Sequence, residues 1–132
     1  YLDSLHGGTK LFPPAGPARW TALRRHALGS NLLDNLMLWR NEMLRPQPQQ
    51  SPETLAAFEQ KVRNAVAALE READALAADP VGIGHVAIAC ALGYTDFRFA
   101  ALGWRKGHDR IACWYDAFAQ RPSMTATAHV DQ

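Results

Sequence analysis

Few side chains in this 132-residue chain are placed to do chemistry, and their spacing limits what that chemistry can be. The five histidines, His6, His26, His85, His108 and His129, show no HxH or HxxxH spacing. A zinc site needs a recognisable local cluster of ligands, so no metal is expected. The two cysteines, Cys90 and Cys113, form no CxxC pair, and both fall inside predicted helices. Free cysteine packs as a small hydrophobe, so both read as buried thiols of a reducing compartment rather than as a disulfide. No GxGxxG, no P-loop and no serine nucleophile elbow occur, and no catalytic residue is assigned. Two patterns remain. Ser30, Asn31, Asp34 and Asn35 interrupt an otherwise apolar stretch at helical spacing. They read either as a solvated or interface strip, or as the polar wall of a binding cleft. Trp39, Arg40, Phe97, Phe99 and Trp104 could line an apolar pocket or serve as core and loop anchors. Pocket walls are themselves mostly apolar, so composition leaves both readings open.

The elements that must position these residues are helical. Residues 86–92 have no polar face, so that segment must be surrounded by protein or lipid. It is far short of the roughly 20 apolar residues that cross a bilayer. We read residues 83–92 as a buried central helix ended by Gly93, followed by an aromatic loop over residues 94–107. A first helix is predicted from about residue 17 to 44, where Arg45-Pro46 stops it. It carries two apolar stripes and therefore needs two partners. The second helix begins at Ser51, an N-cap, with Pro52 at the first helical position. Its Leu55, Val62, Leu69 and Leu76 repeat every seven residues until Asp79-Pro80. The two should form an antiparallel pair. A last helix over residues 108–120 presents Ile111, Trp114, Tyr115 and Phe118. The chain thus predicts an all-α fold: a compact bundle around a buried central helix.

Upstream, Tyr1, Leu2 and Leu5 read as the last turn of a helix from a preceding domain, with residues 1–6 its remnant. Residues 7–17 read as an interdomain linker anchored by Leu11 and Phe12, residues 18–122 as the helical domain, and 123–132 as a polar, partly disordered tail. With 48% hydrophobic and 20% charged residues and a net charge of +1, the composition is that of a soluble protein. No basic run suggests a nucleic-acid or membrane surface, and no signal or spanning segment is visible.

Taken in order, these parts resemble the C-terminal helical domain of cytosolic, particularly bacterial, glutathione S-transferases. The resemblance rests on Tyr1-Leu2-Asp3, Leu11-Phe12-Pro13, Ala27-Leu28 with Leu32-Leu33-Asp34, and Arg45-Pro46. It continues through the central run from Ile88 to Tyr94 with Asp96-Phe97-Arg98, Trp104, Trp114-Tyr115 and Arg121-Pro122-Ser123. It implies a missing thioredoxin-like domain that binds glutathione as co-substrate and carries the activating residue. This chain would then supply contacts to a small hydrophobic electrophile and part of a homodimer interface through its first two helices, in a cytoplasmic protein. Substrate contacts are expected from Ser30, Asn31, Asp34, Trp39, Arg40, Phe97 and Trp104. The alternative is a non-catalytic, transferase-like interaction or ligand-binding module. Relatives usually cap the central helix with Ser or Thr followed three residues later by Asp. Gly82 and His85 stand at those positions, so a weakened, pH-sensitive cap is expected, with histidine unable to replace the carboxylate. Relatives also often carry an acid near Ser30, which here offers no charge to glutathione.

Overall fold

The computed structural model describes residues 1–130. Among these residues there are five α-helices: α1 (Gly16–Met43), α2 (Pro52–Ala78), α3 (Ile83–Phe99), α4 (Asp109–Ala119) and α5 (Pro122–Ala126). Short 3-10 turns occupy Leu2–Ser4, Gln47–Gln49 and Ala100–Leu102, and no strand occurs among the described residues. The all-α expectation holds. No helix among these residues is long and apolar enough to cross a membrane.

α1 starts where Gly16 takes a φ of 72°, accessible to glycine, and Pro17 presets the first helical turn. Upstream, the Asp3 carboxylate accepts the Leu11 N–H at 2.8 Å and the Phe12 N–H at 3.2 Å. The Leu11 carbonyl in turn accepts the Ile83 N–H at 3.0 Å, tying this segment to the start of α3. At its other end α1 is joined tightly to α2. Glu42 accepts the Ser51 N–H at 2.7 Å, and the Ser51 hydroxyl accepts the Thr54 N–H at 3.2 Å. The seven-residue repeat behaves as expected, with Val62, Leu69 and Leu76 fully buried. Antiparallel pairing follows from the contacts: Asn35 donates to the Phe58 carbonyl at 3.1 Å, and Arg24 pairs with Glu72 at 2.5 Å.

α3 crosses α1 at backbone distance. A Cβ on Gly29 would lie 2.6 Å from the backbone at Ala87 and Ile88, and one on Gly84 would lie 2.5 Å from the Arg25 Cβ. Ile88, Ala91 and Leu92 are fully buried at the centre of the molecule. The expected stop at Gly93 is corrected. α3 runs through it to Phe99, so Tyr94, Phe97 and Phe99 belong to the helix and not to a loop. Gly93 clears space instead: a Cβ there would sit 2.8 Å from the Tyr115 hydroxyl. Tertiary packing of this kind outweighs glycine's penalty of about 1 kcal/mol in a helix. The chain turns at Gly103, whose φ is 58°.

α4 docks on α2 through Glu70, which accepts the Ile111 N–H at 2.9 Å. The predicted face of Ile111, Trp114, Tyr115 and Phe118 is buried. That register turns Cys113 outward, so its expected burial is corrected: Cys113 is exposed, Cys90 is half-buried, and both are free thiols. The tail is more ordered than expected, since Pro122–Ala126 forms a short helix with Met124 against the core. Asp131 and Gln132 lie outside the described residues.

Candidate functional site

The outer face of α3 carries a cleft. Cys90, Gly93 and Phe97 recur at i, i+3 and i+7, which aligns them on one side of the helix. Tyr115 from α4, Met124 from α5 and His129 from the tail close the other walls around about 420 Å³. Rings continue from this cleft into the core. His129 stacks on Phe97 (centroids 5.4 Å apart) and meets Tyr94 edge-on at 5.7 Å; Tyr94 lies 6.4 Å from Phe99, which packs on Trp39 at 4.7 Å. The Arg98 guanidinium lies over the Phe97 ring, 3.9 Å from its centre. Burial pushes the Cys90 thiol up, so it stays protonated at neutral pH and is a packing group, not a nucleophile. Burial likewise raises the Tyr115 phenol, which remains a hydrogen-bond donor.

The candidate residues separate into different places. Phe97 lines the cleft, with Trp39 two rings behind Tyr94 in the core. Trp104 is buried and donates to Asp96 at 2.7 Å; Arg105 also pairs with Asp96, reaches Asp116 at 2.9 Å, and lies over the Trp104 ring. Asn31 and Asp34 instead line a groove of about 350 Å³ between α1 and α2, beside Leu38, Phe58 and Lys61. Ser30 and Arg40 are half-buried and line neither space. Cys90, Tyr94, Tyr115, Met124 and His129 were not among the candidates. Tyr115 was visible only as part of the α4 core face, and His129 lies in a segment with no periodic pattern. No group of three or more His, Cys, Asp or Glu among the described residues could hold a metal ion.

At the start of α3, the capping expectation is corrected. His85 does replace the carboxylate: its Nδ1 accepts the Gly82 N–H at 3.1 Å. Its Nε2–H donates to the Leu76 carbonyl near the end of α2, also at 3.1 Å. This pairing requires the neutral ring, with one nitrogen accepting and the other donating. Burial, with Arg25 nearby, holds the His85 pKa below its ordinary value. Arg25 is itself buried between Glu72 (3.3 Å) and Asp79 (2.6 Å). A neutral imidazole thus serves as both cap and helix-to-helix bridge. The expected pH sensitivity keeps a physical basis, because protonation would turn the accepting nitrogen into a donor facing an N–H.

Known proteins share this architecture. The family model of the glutathione S-transferase C-terminal domain matches residues 52–117. The uncharacterized GST-like protein YibF of Escherichia coli (strain K12) is 33% identical over 117 residues, covering 86% of this chain and 58% of YibF. A glutathione transferase family member from Pseudomonas fluorescens Pf-5 with bound S-(propanoic acid)-glutathione superposes with a TM-score of 0.94. It is 41% identical over 99% of this chain and 68% of its own. The glutathione-bound structure from the same organism matches equally well, over 64% of that chain. A glutathione S-transferase from Methylobacillus flagellatus KT, 24% identical, superposes with a TM-score of 0.92 and so shares the fold. This chain therefore spans only part of the length of these relatives. On this helical architecture and these matches together, the chain belongs to the glutathione S-transferase family, as its C-terminal all-α domain.

Proposed function

We propose that this chain is the substrate-pocket and dimerisation domain of a glutathione transferase, working joined to a thioredoxin-like domain that binds glutathione. In that protein the thiolate of glutathione is the nucleophile and a small apolar electrophile the acceptor. The observation that carries the reading is the cleft over α3, walled by Phe97, Tyr115, Met124 and His129 in a chain 41% identical to a transferase holding a glutathione conjugate. Its apolar walls with few polar groups suit a small co-substrate. Phe97 contacts that co-substrate, while Trp39 and Trp104 support the wall from behind. Ser30 and Arg40 lie along α1 as further contacts toward the joined domain. Cys90 is protonated and Asp96 is ion-paired with Arg105 and bonded to Trp104, so neither serves as a base for a thiol. Activation belongs to the other domain.

The α1–α2 face, with Asn31 and Asp34 in its groove and Leu38 56% exposed beside them, is our candidate for the subunit contact. Retention of the full-length protein on immobilised glutathione, followed by a conjugation assay with an apolar electrophile, tests the reading. Retention with turnover is expected. Absence of both would contradict it and favour the non-catalytic module.

A further inference from the structure

We infer that Tyr115 is a specificity residue, whose phenol donates a hydrogen bond to a ketone- or quinone-type oxygen on a flat apolar co-substrate held in the α3 cleft. This deepens the proposed function and rests on it for the role of the cleft. Tyr115 is only 9% exposed, and its hydroxyl has no hydrogen-bond partner among the described residues. Yet every described side-chain nitrogen or oxygen sealed from solvent has a partner. The Tyr115 oxygen must therefore open on the cleft that its side chain lines. A donor open to the cleft is met by water in the free protein and is available to a ligand oxygen that displaces that water.

The surroundings hold that donor in place. The ring meets Trp104 edge-on at 6.1 Å, and the Arg105 guanidinium lies 5.4 Å from its centre. Opposite, only glycine at position 93 leaves room for the hydroxyl at the floor. The other side chains of the cleft that carry oxygen make hydrogen bonds within the protein. Asp96 accepts from Trp104 and Arg105, the Thr125 hydroxyl donates to the Pro122 carbonyl at 3.0 Å, and the Thr127 hydroxyl donates to the Ser123 carbonyl at 2.8 Å. Ala89, Phe97 and Met124 supply apolar surface around this one unmatched hydroxyl. A site built to hydrogen-bond one substrate atom discriminates against the analogue that lacks it.

Equilibrium dialysis of the full-length protein without glutathione tests this with two probes of matched shape, 2-acetonaphthone and 2-isopropenylnaphthalene. The wild type is expected to bind the ketone about 10-fold more tightly, the worth of one hydrogen bond. Tyr115→Phe should bind both probes equally, keeping the wild-type affinity for the hydrocarbon. Gly93→Ala retains the phenol but displaces its oxygen, and should also lose the preference. Ketone preference surviving in Tyr115→Phe, or no binding of either probe to the wild type, would overturn the assignment. Because glutathione is absent, retention on glutathione without ketone preference would reject Tyr115 alone. Ketone preference without retention would support the Tyr115 assignment and reject the transferase reading.

Discussion

At the start of α3, His85 engages both ring nitrogens, one with the Gly82 N–H and one with the Leu76 carbonyl, and Arg25 reaches two carboxylates. Two turns further along the same helix, the Tyr115 hydroxyl faces Gly93 with no partner among the described residues. Both regions hold a largely buried polar aromatic side chain, His85 on α3 itself and Tyr115 packed against that helix from α4. One is closed, with its polar groups used to join α1, α2 and α3. The other keeps a donor directed into a cleft. A polar group that is paired within the protein is there for the fold, whereas one left open on a cavity wall is available to a ligand.

The contrast should be measurable, first at the glycines. Gly29→Val sets a branched side chain against the α3 backbone, which cannot move aside, and is expected to cost more than about 3 kcal/mol. Urea denaturation reads this directly, and a loss below about 1 kcal/mol would show that the helices separate more easily than their contact suggests. His85→Ala comes next. It removes two hydrogen bonds and leaves a cavity beside Trp114 and Phe118, for an expected loss of about 2–3 kcal/mol in the same assay.

The His85 ring also makes the closed end sensitive to pH. Its folded pKa is held below the ordinary value near 6.5, by burial first, so the unfolded chain takes up the proton more readily. This contribution is complete above pH 7 and is lost as pH falls through the folded pKa. Melting temperatures at pH 8 and pH 5.5 should show the decline in the wild type and a shallower one in His85→Asp, where the acceptor at Gly82 no longer titrates in that window. Equal declines in the two proteins would remove His85 as the cause. The smallest effect belongs to the open region. Tyr115→Phe deletes a hydroxyl with no protein partner, and is expected to change stability by less than about 0.5 kcal/mol. A loss as large as that of His85→Ala would erase the distinction between the two regions.

Much of the fold was legible because its signals are local. Ser51-Pro52 marks a helix start, the Leu55 to Leu76 repeat marks a single buried stripe, and the apolar run before Gly93 marks a central helix. Gly93 itself was misleading for a physical reason. A glycine reads alike whether it ends a helix or clears space for a ring 22 positions away, and only tertiary contact separates the two. His85 was opaque in the same way: its second partner is a carbonyl on the preceding helix, and its use as an acceptor depends on a tautomer. The cleft draws on α3, α4, α5 and the tail, and no spacing rule within one helix joins Phe97 to His129. Trp39 and Phe97 were singled out as one aromatic group, but the rings that link them, Tyr94 and His129, were not.

Amide chemical-shift mapping of the full-length protein, titrated with an S-alkyl glutathione conjugate, tests the central claim most directly. If the cleft over α3 receives the co-substrate group, the largest shifts among residues of this chain will fall at Gly93, Phe97, Tyr115 and His129. Shifts centred on Asn31, Asp34 and Phe58, with the α3 cleft unmoved, would contradict the account.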